Sequence, residues 1–215
     1  MSKLPNQFFY SKKEDRLNVL SHGIGFILSI IGLIFLINKG LQNFTLTYFM
    51  SLLIYGLSLS TMYIASTLYH KSKTSNSRYN LRMFDMISIY ILIAGSYTPF
   101  TLILLKDNQG WLLFSIIWLL ALFGIVWKIF TVGKYNLVTT SLYIFMGGLW
   151  LFFYESFMNQ IPSDALWWIT AGCLTYLAGV IFYLLDNKLK YNHFIWHLFV
   201  LAASGCHYIS IYFYI

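Results

Sequence analysis

Trp111–Phe130 reads WLLFSIIWLLALFGIVWKIF, twenty residues with a single charge, Lys128. An apolar run of roughly 18 residues or more is long enough to cross a bilayer as a helix. Similar runs recur along the chain at about 18–37, 48–70, 84–105, 138–154, 165–185 and 193–215. Together they predict an all-α integral membrane protein with seven transmembrane helices. The fifth run is short and its ends are not sharply marked. A transmembrane barrel needs strands of about ten residues with alternating polarity, and none is visible. Composition agrees: 59% of the 215 residues are hydrophobic and 10% are charged, with a mean hydropathy of +0.67. Residues 1–17 read as a cytoplasmic N-terminal segment and residues 18–215 as one seven-helix domain. The first apolar run is long and no small-residue cleavage pattern follows it, so it is expected to stay as a helix.

The net charge of +7 does not point to nucleic acid, because of where the charges lie. Lys3, Lys12, Lys13 and Arg16 precede the first run. Lys71, Lys73, Arg78 and Arg82 follow the second, Lys128 and Lys134 flank the end of the fourth, and Lys188 and Lys190 follow the sixth. Only Lys39 and Lys106 belong to the opposite side. By the positive-inside rule the N-terminus is expected in the cytoplasm and the C-terminus outside. Cys173 and Cys206 both fall inside apolar runs and are expected to be free thiols acting as small hydrophobes. No CxxC or zinc-finger spacing occurs.

This topology brings the costly residues to one depth. His70 ends the second run, Asp85 opens the third, and His193 and His197 open the last. Ionisable side chains in a membrane segment are functional candidates by default. His193 and His197 are four residues apart, which puts both on one helix face with Cβ atoms about 5–6 Å apart. Three imidazoles at one depth suit a zinc ion with an open position. The alternative is histidines bonded to neighbouring helices or reaching for the interface. Asp85 reads as a helix-start acid, a partner for Arg82, a fourth ligand or the base that orients a water, with the water-mediated role preferred. Ser66 is one turn deeper than His70. Its hydroxyl suits a water or a substrate carbonyl, or it is a small residue easing helix packing. His22 lies at a depth to support such a site. His207, about 15 Å beyond His197 at 1.5 Å per residue, lies too far away. Pro99 and Gly147–Gly148 mark a kink and a bend or close approach.

The residues that carry chemistry also carry a resemblance. They are Glu14-Asp15-Arg16-Leu17-Asn18 leading to Ser21-His22-Gly23, then Ala65-Ser66-Thr67-Leu68-Tyr69-His70, then Asp85 with Ala94-Gly95-Ser96-Tyr97-Thr98-Pro99-Phe100, then His193 and His197-Leu198-Phe199-Val200 to His207. In this order, over nearly the whole chain, they resemble the bacterial hemolysin III family, grouped with the progestin and adipoQ receptors that include the adiponectin receptors. The resemblance implies zinc held at His70, His193 and His197, Asp85 contacting it through water, and Ser66 beside the site. The adiponectin receptors are linked to ceramide hydrolysis, so a lipid amide or ester is the implied substrate class. Many bacterial members have histidine after this aspartate; here Met86 excludes a ligand from that position. Two other functions remain open: a non-catalytic membrane regulator with a structural zinc, and a pore. A pore needs polar residues at several depths, whereas here they gather at one edge.

Overall fold

The computed structural model describes residues 10–43, 45–106, 109–186 and 188–215. Lys3 and the rest of residues 1–9 lie outside the described residues. Among the described residues, eight α-helices follow one another: α1 (Lys12–Leu41), α2 (Leu46–Lys71), α3 (Ser75–Pro99), α4 (Gly110–Phe130), α5 (Asn136–Gly147), α6 (Tyr154–Gln160), α7 (Ser163–Leu184) and α8 (Asn192–Tyr214). A π-helical turn, Phe100–Leu104, extends α3, and a 3-10 segment, Leu149–Phe153, joins α5 to α6. Counting these extensions, seven helical spans among the described residues are long and apolar enough to cross a membrane. The protein is a multi-pass membrane protein.

Both ends of the first span reach beyond its apolar run. Ser11 and Glu14 form a reciprocal capping box at the start of α1, which satisfies end N–H groups that apolar residues cannot. Along α1 the buried positions are Asn18, Ser21, His22, Gly25, Ser29, Gly32, Leu36 and Gly40. That is a stripe of small and polar residues at three- and four-residue spacing, the composition that lets membrane helices approach closely. The opposite face exposes Leu20, Ile24, Ile27, Leu28, Ile31 and Phe35 to lipid. α1 packs on α2 and α8, α2 on α3, α3 on α4, and α7 on α8.

Proline 99 is the last residue of α3, and the chain continues as a wide π turn rather than ending. Proline withholds one backbone donor. The Thr98 hydroxyl donates to the Ala94 carbonyl, and the Thr101 hydroxyl lies within bonding distance of the Tyr97 and Thr98 carbonyls. Gly147–Gly148 resolves as a break, not a close approach. Nothing lies within 4 Å of a Cβ built at Gly147. The Tyr97 hydroxyl is 3.0 Å from the carbonyls of both Met146 and Gly147, and it accepts from the Trp150 N–H. One phenol thus serves the backbone groups that the break frees, as a lipid environment requires. The apolar run marking the fifth span stops near 154 because the rest, through Gln160, carries Glu155, Ser156 and Asn159.

Candidate metal centre

His70 sits in the last turn of α2, and His193 and His197 lie one turn apart at the start of α8. One ligand-type atom from each lies within 4.8 Å of those of the other two. The rings are 2%, 8% and 1% exposed, with centroids 5.0, 5.1 and 4.7 Å apart. α2 and α8 make little direct backbone contact and converge here around α1.

Each imidazole is held by its Nδ1. That of His70 is 3.1 Å from Asp15 Oδ1 and 3.3 Å from Asn18 Nδ2. That of His193 is 3.0 Å from the Tyr10 hydroxyl and 3.2 Å from Asp186 Oδ2. That of His197 is 3.1 Å from Ser21 Oγ. Anchoring one ring nitrogen to a carboxylate or hydroxyl fixes the tautomer and aims the other at a metal. His70 Nε2 is buried with no hydrogen-bond partner. An orphaned buried nitrogen is costly, and a cation shared with two nearby imidazoles would satisfy it. The residues present therefore fit a metal ion.

The supporting groups come from unexpected places. Tyr10 precedes α1; its hydroxyl donates to Asp186 at 2.6 Å, and its ring lies against His70 and His193. Burial, followed by Tyr69 and Asp186, raises the Tyr10 phenol well above its usual range, so it remains a donor. Burial would also raise the Asp186 carboxyl. The hydrogen bond and field of His193, the Tyr10 bond and the Arg82 field outweigh that and hold it below the usual range. Asp15 serves a second partner: Arg78, 1% exposed, bonds to it at 2.9 Å and to the Ser72 carbonyl. The Arg78 guanidinium also covers the Tyr69 ring. Glu14 accepts from the Tyr191 N–H at 2.8 Å, tying the start of α1 to that of α8. Tyr191 is in the left-handed region at φ 67°, a conformation that costs a non-glycine residue about 1 kcal/mol or more.

The predicted residues fall into two groups. His70, His193 and His197 form the cluster. Asp85 and Ser66 belong to the packed pair α3 and α2, but neither belongs to the cluster of mutually close ligand atoms. Both line a cavity of about 620 Å³ that also reaches His193 and His197. Its wall includes α5 and α7, which make little direct backbone contact among the described residues. Leu137, Ile144 and Leu151 on one side, and Leu174, Leu177 and Leu184 on the other, both line the cavity and face outward. The cavity therefore opens sideways towards lipid. Met86 is buried and its carbonyl accepts from Tyr143, consistent with no ligand from that position.

Polar groups are not confined to one edge. His207 packs against Gly172, and its Nε2 is 3.8 Å from Cys173 Sγ. Tyr63 on α2 bonds to Ser204 on α8. Both cysteines are free and half-buried.

Comparison with known proteins places the chain. The family model described as Haemolysin-III related matches residues 10–208. The chain is 39% identical to Hemolysin-3 of Bacillus cereus over 203 residues, covering 94% of this chain and 92% of that protein. It is 37% identical to the Hemolysin-3 homolog of Bacillus subtilis strain 168, over 95% and 96% of the two chains. It is 32% identical to the human monocyte to macrophage differentiation factor over 171 residues, 75% of this chain and 69% of that one. The buried histidine cluster and the seven spans are thus those of a protein that belongs to the haemolysin-III-related family.

Proposed function

We propose that the chain is a zinc-dependent hydrolase embedded in the membrane, acting on an amide or ester bond of a lipid. The observation that carries this reading is the pairing of two features. Three imidazoles are anchored through Nδ1 and converge on one point, and a carboxylate outside that cluster lines a cavity open towards lipid. Imidazole ligands suit zinc. When bound, zinc supplies a Lewis acid that acidifies water and polarises a carbonyl.

The protein's own groups would do the rest. Asp85 accepts the proton of the attacking water. Ser66, which lines the same cavity, orients the carboxylate towards the histidines. The cavity admits the acyl chain between α5 and α7 and keeps the scissile bond at the depth of the cluster. Nδ1 partners on all three rings keep the ligand set rigid during turnover. The test is hydrolysis of labelled lipid amides and esters by purified wild type and His197→Ala. Turnover by the wild type alone, with the variant still folded, supports the reading. Equal turnover by both sinks it.

One observation favours a second reading, a regulator with a structural zinc. α2 and α8 have little backbone contact of their own, so a metal would staple them. A His197→Ala protein with a lower melting temperature, in a pair where neither protein hydrolyses any lipid, would favour that reading.

A further inference from the structure

His22 is a buried polar residue that the metal site does not use. It is 3% exposed, and neither ring nitrogen has a hydrogen-bond partner. The His197 backbone lies beside the ring without hydrogen-bond geometry. The ring cannot readily turn to find a partner. One face stacks on His197, with centroids 3.6 Å apart and planes 15° apart, and Tyr63 meets it edge-on at 5.1 Å and 90°. His22 is not part of the three-histidine cluster. It does line the cavity, as do Ser66 and Asp85.

Leaving both a donor and an acceptor of a buried ring without a protein partner is unfavourable. A neutral imidazole offers one of each. His197 and Tyr63 pack on the ring, and the cavity beside it is lined by apolar groups such as Met62, Ile89 and Val200 together with polar ones such as Ser66, Asp85 and Ser204.

We infer that His22 binds the polar head of a lipid in this cavity, through a hydroxyl or secondary amide that both donates and accepts hydrogen bonds. The inference rests on the proposed function only for the ligand being a lipid. It adds that plain hydrocarbon or simple ester chains are poorer ligands than hydroxylated or amide-bearing ones. His22 thereby sets headgroup preference, while His70, His193 and His197 would hold the metal.

Two substitutions separate hydrogen bonding from packing. His22→Phe keeps an aromatic face for His197 and Tyr63 and removes both nitrogens. His22→Gln returns a donor and an acceptor without the ring. Binding is measured in detergent, with and without zinc, for a fluorescent N-acyl amino alcohol and a fluorescent alkane of equal length. Zinc content and melting temperature are measured alongside. His22→Phe is expected to keep wild-type zinc content and alkane binding but to bind the amino alcohol about tenfold more weakly, as for one lost hydrogen bond. His22→Gln is expected to recover part of that loss. If His22→Phe does not fold, weaker amino alcohol binding by His22→Ala than by His22→Gln supports the inference, and equal binding overturns it. Wild-type binding of both probes by His22→Phe overturns it, as does loss of zinc from that variant or no preference between probes in wild type. Wild type that binds the amino alcohol selectively but hydrolyses nothing ends the hydrolase reading and leaves this one standing.

Discussion

Asp186→Asn is the sharpest probe of how the cluster is held. Asp186 reaches His193 Nδ1 at 3.2 Å and also takes the Tyr10 proton at 2.6 Å. Its carboxylate therefore fixes both the tautomer of His193 and the place of the phenol beside it. Removing an outer partner of a metal-bound histidine costs 10- to 100-fold in affinity in typical sites. The Asp186 side chain is 15% exposed, so solvent screens part of its charge. Tyr10 still contacts the same nitrogen at 3.0 Å. The lower end of the range follows: about tenfold weaker zinc binding, or about 1.4 kcal/mol. Tyr10→Phe should cost a similar or smaller amount. The double variant should lose less than the two losses combined, because both groups act on one nitrogen. Competition with a chromophoric zinc chelator in detergent measures all three. Wild-type affinity in Asp186→Asn would refute the claim that this carboxylate orients a ligand.

Asp15→Asn should act on the fold as well as on the His70 anchor. It leaves the buried Arg78 guanidinium without its charged partner, at a cost of about 3 kcal/mol, visible as a lower melting temperature even in metal-free protein. Gly95→Ala should destabilise the α2–α3 contact by about 1–3 kcal/mol, because its Cβ would lie 2.7 Å from Ser58 Cβ; Gly147→Ala meets open space and should be neutral or slightly stabilising by the same thermal assay. The basic-residue pattern predicts an active alkaline phosphatase fused at the C-terminus in a bacterial host, and inactivity there would reverse the orientation.

Charge and hydropathy alone located the spans and the depth of the three histidines, because lipid leaves few ways to bury a backbone. Ser66 and Asp85 were legible as candidates at the depth of the histidines, but the cavity they line was not. The anchoring groups were harder to read. Tyr10 and Asp186 lie outside any apolar run and reach His193 across 183 and seven residues of sequence. Their role depends on how the start of α1 meets the α7–α8 loop, through the Glu14–Tyr191 bond. A signal did exist for Asn18, Ser21 and His22: they continue into Gly25, Ser29 and Gly32 with helical spacing, so α1 presents its polar face inward. The distant half of the cavity, with Cys173 and His207 in contact, also escaped the sequence. Its residues are scattered singly among apolar ones and acquire partners only when α7 packs on α8.

The central claim is that His70, His193 and His197 hold one metal ion. Elemental analysis of the protein purified without chelators, beside His197→Ala, tests it directly. About one zinc per wild-type chain, lost in the variant, is the expected result; a wild-type protein that folds, is carefully handled and carries no metal would contradict it.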